Sequence, residues 1–196
     1  MRLADRWPVE GHTDLRDELL LAWDRPGYHD LLHLTEVLDR LDQLAAGGAD
    51  FDRPAVDLAA WFHDAVYAGA DDDEEQSAQW AERTLPAAYA DEVARLVRMT
   101  VEHRPDDSDA NACALSDADL AILAAPPSRY DVYVAGVRAD FAHVPDAEFA
   151  AGRRAVLEDL AERPRLFRTA QAVDLWEETA RANLARELSA GRASGR

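Results

Sequence analysis

His63 and Asp64 stand side by side in the stretch AWFHDAVYAGADDDEEQSA, residues 60–78, between Trp61-Phe62 and Ala65-Val66-Tyr67. Burying an ionisable pair among apolar side chains costs several kcal/mol unless a partner or a metal compensates it. Three more histidines, His29, His33 and His103, fall in or beside apolar segments, and Asp117 and Asp119 interrupt the apolar run ALSDADLAILAA. A lone histidine on a helix is more often a hydrogen-bonded core or surface group than a ligand. The co-occurrence changes that reading. Neutral imidazole with carboxylate is a ligand set for a borderline to hard divalent cation, and a cation would explain acids at apolar sites.

Two arrangements compete. The first is local: HDLLH, residues 29–33, sets two histidines at i and i+4 on one helix face, in the manner of the HExxH zinc pattern, although Asp30 is shorter than the glutamate that pattern needs. The second is dispersed, with one histidine before residue 40, the His63-Asp64 pair, and an aspartate of SDADL. Adjacent helical residues point about 100° apart, so spacing alone does not bring His63 and Asp64 to one ion.

The elements that must position these groups are helices. Apolar residues recur at three and four, alternation at two is nearly absent, and the breaks fall at proline, glycine and acidic clusters. Helices are expected over about 14–23, 30–46 with Gly47-Gly48 as a stop, a third opened by Pro54 and carrying His63 and Asp64 near its end, 74–85, and 91–103 ending at His103. RPDDSDANA reads as a surface loop. Ser128 with Asp131 fits a capping box that opens a helix through Phe141, and helices over about 146–162 and 169–188 follow. There is no internal repeat and no linker long enough to split the chain, so one all-α domain with its core at about 13–190 and a frayed tail over 191–196 is expected.

Composition narrows the function classes. A chain of 196 residues can bury a sizeable core. No run approaches the roughly 20 apolar residues of a membrane span, and the N-terminus shows no signal-peptide pattern, so a soluble, cytoplasmic protein is expected. A net charge of −18 argues against nucleic-acid polymers and anionic membranes as partners. All 21 basic residues are arginine, so any anion clamp must be a guanidinium fork. The single Cys113 reads as an ordinary thiol.

The order H…HD…D in an all-helical frame resembles the HD superfamily of metal-dependent phosphohydrolases, and more narrowly a bacterial group of predicted HD phosphohydrolases. The matching stretches are YHDLLHL, LAAWFHDAVY, DDEEQSA, LSDADLAIL, YDVYVAGVRADFAHV, GRRAVL and ARANLAREL, spread over about residues 25–190. Asp30 departs from the asparagine expected there. The resemblance implies a helical bundle of the HD type, with His33, His63, Asp64 and Asp119 as ligands of a divalent cation of the Mn, Fe, Co, Ni or Mg kind. Asp119 is favoured over Asp117, which becomes a neighbouring acid or a helix-start group. Glu74 is the expected general base or water orienter beside Asp64. Otherwise the acid run Asp71–Glu75 is a solvated helix start.

His103 is open between a further ligand, a phosphate contact and a helix-ending histidine. Arg138 and Arg153 are candidates for a phosphate clamp, with a salt bridge the better reading of each. The implied activity is hydrolysis of a small phosphoester, plausibly a nucleotide, by a metal-activated water; oligomerisation is open. The rivals are an HD-fold di-iron oxygenase, in which His29 and His103 supply a second ion's ligands, and a non-catalytic module with a structural metal.

Overall fold

The computed structural model describes residues 2–70 and 72–194, with side chains to residue 190. Nine α-helices and two short 3₁₀ segments, with no strand, make up the regular structure among the described residues. They are α1 (Thr13–Trp23), α2 (Leu31–Ala46), α3 (Arg53–Phe62), α4 (Asp73–Thr84), α5 (Ala90–Met99), α6 (Ala110–Leu120), α7 (Pro127–Asp140), α8 (Asp146–Glu162) and α9 (Ala170–Ser194). The chain is all-α, and no described helix is long and apolar enough to cross a membrane.

Short-range chemistry explains where the helices near the histidines begin. The Asp30 carboxylate accepts the N–H groups of Leu32 and His33, capping α2. An aspartate does this as well as an asparagine, which accounts for the acid at position 30. Asp52 caps α3, whose first turn holds Pro54, and Asp109 caps α6. α2 stops at Gly47, and Gly48 takes a positive φ of 92° that favours glycine.

Several boundaries differ from expectation, among them the end of α3 at Phe62, before the His63-Asp64 pair, and the start of α6 at Ala110, inside the expected loop. α7 starts at Pro127 with no side-chain cap, because Pro126 and Pro127 set the first turn; Asp131 pairs with Arg186 instead of closing a capping box. α5 ends at Met99, four residues early: the Thr100 hydroxyl donates to the Val97 carbonyl and His103 sits at φ 48°. α9 runs on to Ser194, past the expected start of a frayed tail, while Gly195 and Arg196 lie outside the described residues.

One apolar cluster links residues from Leu15 to Leu184. α2 packs on α3 and α6, α3 also packs on α5 and α6, and α5 lies against α4. Leu34, Leu38 and Leu41 of α2, Trp61 and Phe62 of α3, and Leu115 of α6 are fully buried at this junction. α9 covers the 3₁₀ segment Ala121–Ala124, and its Asn183 amide donates to the carbonyls of Leu123 and Ala125. The polar groups of α2, α3 and α6 are therefore presented from a rigid, close-packed centre.

Candidate metal centre

Helix geometry first has to bring His63 and Asp64 together, which an uninterrupted helix does not do. α3 ends at Phe62: His63 is its C-cap and Asp64 already belongs to the turn beyond. Two groups hold that turn. The Arg25 guanidinium donates to the backbone carbonyls of Asp64, Ala65, Ala22 and His29. A few residues on, one oxygen of the buried Asp73 carboxylate accepts the N–H groups of Ala68, Gly69 and Ala70. With the turn pinned, Asp64 Oδ2 lies 3.2 Å from His63 Nε2.

His33, in the first turn of α2, meets this pair from the opposite helix. Its Nε2 is 3.2 Å from His63 Nε2 and 3.6 Å from Asp64 Oδ2. The ligand atoms of His33, His63 and Asp64 all lie within 4.8 Å of one another. Asp119 of α6 joins them through the imidazoles, with Oδ1 3.1 Å from His33 Nε2 and 3.6 Å from His63 Nε2. Both imidazoles are 1% exposed, so water does not neutralise the group.

The donor set fits a divalent cation. His63 Nδ1–H donates to the Ala60 carbonyl at 2.8 Å, which leaves Nε2 as the lone-pair nitrogen facing His33. Lone pairs on two such nitrogens 3.2 Å apart repel unless a proton or a metal sits between them. Metal–ligand bonds of about 2.1 Å put neighbouring ligand atoms about 3.0–3.4 Å apart in octahedral or tetrahedral sites, close to the separations found here. With protons alone, burial opposes charging His63, yet Asp64 and Asp119 outweigh it and hold its pKa well above the usual imidazole range. Burial likewise opposes charge on the two aspartates, but His63 and its neighbours keep both well below the usual carboxylate range. The cluster thus attracts positive charge.

Two more histidines flank it. His103 directs Nε2 to Asp119 Oδ2 at 3.2 Å while its Nδ1 meets the Ser116 hydroxyl, and the left-handed backbone at His103 makes that reach available. His29 lies one step further out, with Nε2 4.0 Å from Asp64 Oδ2 and Nδ1–H donating to Asp140 at 2.7 Å. HDLLH is therefore not a zinc pair: His29 precedes α2 and faces Asp64 from outside, while His33 points into the cluster.

The remaining candidates separate clearly. Asp117, fully buried, accepts the N–H groups of Arg168 and Thr169 and so caps the approach to α9; burial pushes its pKa up to about 6. Glu74 is half-buried in the first turn of α4, where its carboxylate accepts a hydrogen bond from its own backbone. Burial raises its pKa, as do the carboxylates of Asp64 and Asp73. Asp71 lies outside the described residues.

Arg138 ties the turn after α7 together through the carbonyls of Phe141 and Val144 and the Asp146 carboxylate. Arg153 pairs with Glu187 and donates to the Tyr133 hydroxyl. Both arginines are structural ties. Cys113 donates to the Asp106 carbonyl, its thiol pKa raised to about 11 by burial.

Asp140 and Arg25 carried no expected role, and Tyr28, expected to pack with its hydroxyl satisfied at the surface, keeps that hydroxyl buried. Asp140 orients His29 and accepts the Tyr28 N–H; a Cβ on Gly27, at φ 115°, would come 1.5 Å from the Asp140 carboxylate, so that loop requires glycine. Arg25 pins the Asp64 turn. Tyr28 packs on His33 with ring centroids 4.5 Å apart, and its buried hydroxyl has no hydrogen-bond partner among the described residues. Tyr28 and Asp140 both lie in the matching stretches YHDLLHL and YDVYVAGVRADFAHV, while Arg25 lies in none. No family model, curated protein or solved structure matches this chain.

Proposed function

We propose that this chain is a metal-dependent phosphohydrolase of the HD type, acting on a small phosphoester. The observation that carries the reading is that His33 Nε2 and His63 Nε2 lie 3.2 Å apart, with Asp64 Oδ2 and Asp119 Oδ1 each 3.1–3.6 Å from both imidazoles. These four side chains would hold the cation; their mixed nitrogen and oxygen character suits manganese, iron, cobalt, nickel or magnesium. When bound, such a cation supplies a Lewis acid for phosphoryl oxygens and lowers the pKa of a coordinated water.

The chain's own groups do the rest. The Ala60 carbonyl fixes the His63 tautomer, and Asp140 fixes that of His29. His103 stands at the outer oxygen of Asp119, and His29 lies 4.0 Å from the same Asp64 oxygen that faces the imidazoles; both are placed to contact a phosphoryl oxygen at the site. Glu74 remains the proposed general base, close enough to Asp64 and His63 to feel their charge, although it lines a separate cavity with Arg98 and Glu102. The unpartnered Tyr28 hydroxyl adds a buried donor beside His33.

A second reading rests on the same outer histidines: His103 3.2 Å from Asp119 and His29 4.0 Å from Asp64 offer ligands for a second ion, as a di-iron oxygenase requires. Metal stoichiometry separates the two. Elemental analysis of the purified protein and its His63→Ala and Asp119→Ala variants should give one divalent ion per chain in the wild type and none in the variants. Hydrolysis of an aryl phosphate by the loaded wild type alone completes the expected pattern. Retention of metal by both variants defeats the ligand assignment; two irons per chain with oxygen uptake and no phosphate release defeats the phosphohydrolase reading.

A further inference from the structure

A cavity of about 550 Å³ opens beside the cluster, with His29, His103 and Asp119 among its lining residues. This is the size of a site for a drug-sized ligand. Most of its wall is carbon, from Leu120, Ile122, Val137, Phe141, Phe149 and Leu160. The one arginine in the lining, Arg153, is neutralised by Glu187, with its Nη1 on the Tyr133 hydroxyl. The other charged wall residues are the acids Asp119 and Glu148, and His29 and His103 stand at the cluster end, so nothing along the apolar wall compensates a second or third phosphate. Sugar hydroxyls and base edges of a nucleotide would face carbon unpaired, at a penalty that selects against them.

We propose that the cavity seats the organic part of the substrate and that this part is apolar and uncharged, an aryl or alkyl alcohol esterified to a single phosphate. The ester half of the proposal rests on the phosphohydrolase reading; the apolar half rests on the cavity alone. In the reaction the water oxygen bonds to phosphorus as the ester P–O bond breaks. The alcohol leaves with one of the water's protons, and inorganic phosphate remains. No oxidant or reductant is needed.

Gly152 provides a clean probe. It lines the cavity, lies within α8, and a Cβ built on it meets nothing within 4 Å, so Gly152→Phe fills space without a clash at its base. Calorimetric titration of 1-naphthol into metal-free protein should show binding that Gly152→Phe weakens at least tenfold. Val156→Asp, at a half-exposed wall position, should do the same and guards against a misfolded first variant. On manganese-loaded wild type, kcat/KM for 1-naphthyl phosphate should exceed that for AMP and ATP at least tenfold and fall in both variants, with manganese content unchanged.

Absent naphthol binding, or binding indifferent to both substitutions, overturns the cavity assignment. Faster turnover of AMP or ATP overturns the substrate class. Naphthol binding of the expected kind with no phosphoester hydrolysed upholds the cavity's chemistry and overturns the phosphohydrolase reading.

Discussion

Two clusters of buried polar groups border the same cavity, and they are completed in opposite ways. Around Glu187, donors and acceptors balance: Arg153 donates to both carboxylate oxygens and to Tyr133, and the Tyr130 hydroxyl donates to Glu187 as well. Around His63 the balance fails. Its Nδ1–H is already committed to Ala60, so the Nε2 lone pair faces a second imidazole and two carboxylates. A network complete within the protein holds structure together. One that converges acceptors is completed from outside, by protons or by a cation.

The contrast can be broken by mutation. The largest effect is expected at Asp119→Asn, which should weaken divalent-metal binding more than about 100-fold, read by calorimetry; because ionised Asp119 also balances the charged imidazoles when no cation is bound, the metal-free protein should lose stability at neutral pH as well. Unchanged metal affinity in this variant would make the two clusters of one kind. Glu187→Gln should act on stability alone. It leaves Arg153 inadequately paired and destabilises by about 2–3 kcal/mol in urea, with metal affinity intact.

Tyr28→Phe sharpens the picture: loss of a partnerless hydroxyl costs no stability, but a donor used by bound substrate should take about tenfold from kcat with it. The smallest effect belongs to Asp117→Asn, about 1 kcal/mol at pH 7 from the weakened cap, with metal binding untouched. Its pH signature is more telling. The folded pKa of about 6 lies above the unfolded value of about 3.9, so the folded chain holds that proton more tightly. The contribution to stability is complete below about pH 4 and lost as pH rises through about 6. Unfolding free energies of wild type and variant should converge at high pH relative to their separation at pH 4; a constant separation contradicts this.

The all-helical character and most helix positions were legible because apolar spacing is a local signal; the four clustered residues were named only through the resemblance of the H…HD…D order, since spacing does not face His63 toward Asp64. Pattern favoured Asp119 over Asp117 as a ligand; the two, two apart on α6, point to different neighbours, Asp119 to the imidazoles and Asp117 to the start of α9. Asp140 and Arg25 could not be read. Asp140 meets His29 across 111 positions, and Arg25 reaches the Asp64 carbonyl across 39, and nothing in either local stretch encodes such a meeting. His103 was placed on a helix that ends four residues earlier, since periodicity does not report a left-handed residue.

Arg25 has a consequence for how fast the centre responds. Because one guanidinium fastens the 22–29 segment to the Asp64–Ala65 turn through backbone carbonyls, these segments are held by the protein itself, whether or not the proposed cation is bound. A chelator should then strip the cation without loosening the loops, leaving hydrogen exchange across residues 25–34 and 60–66 little changed. Reloading would proceed at a rate set by encounter and ligand deprotonation, without a refolding step.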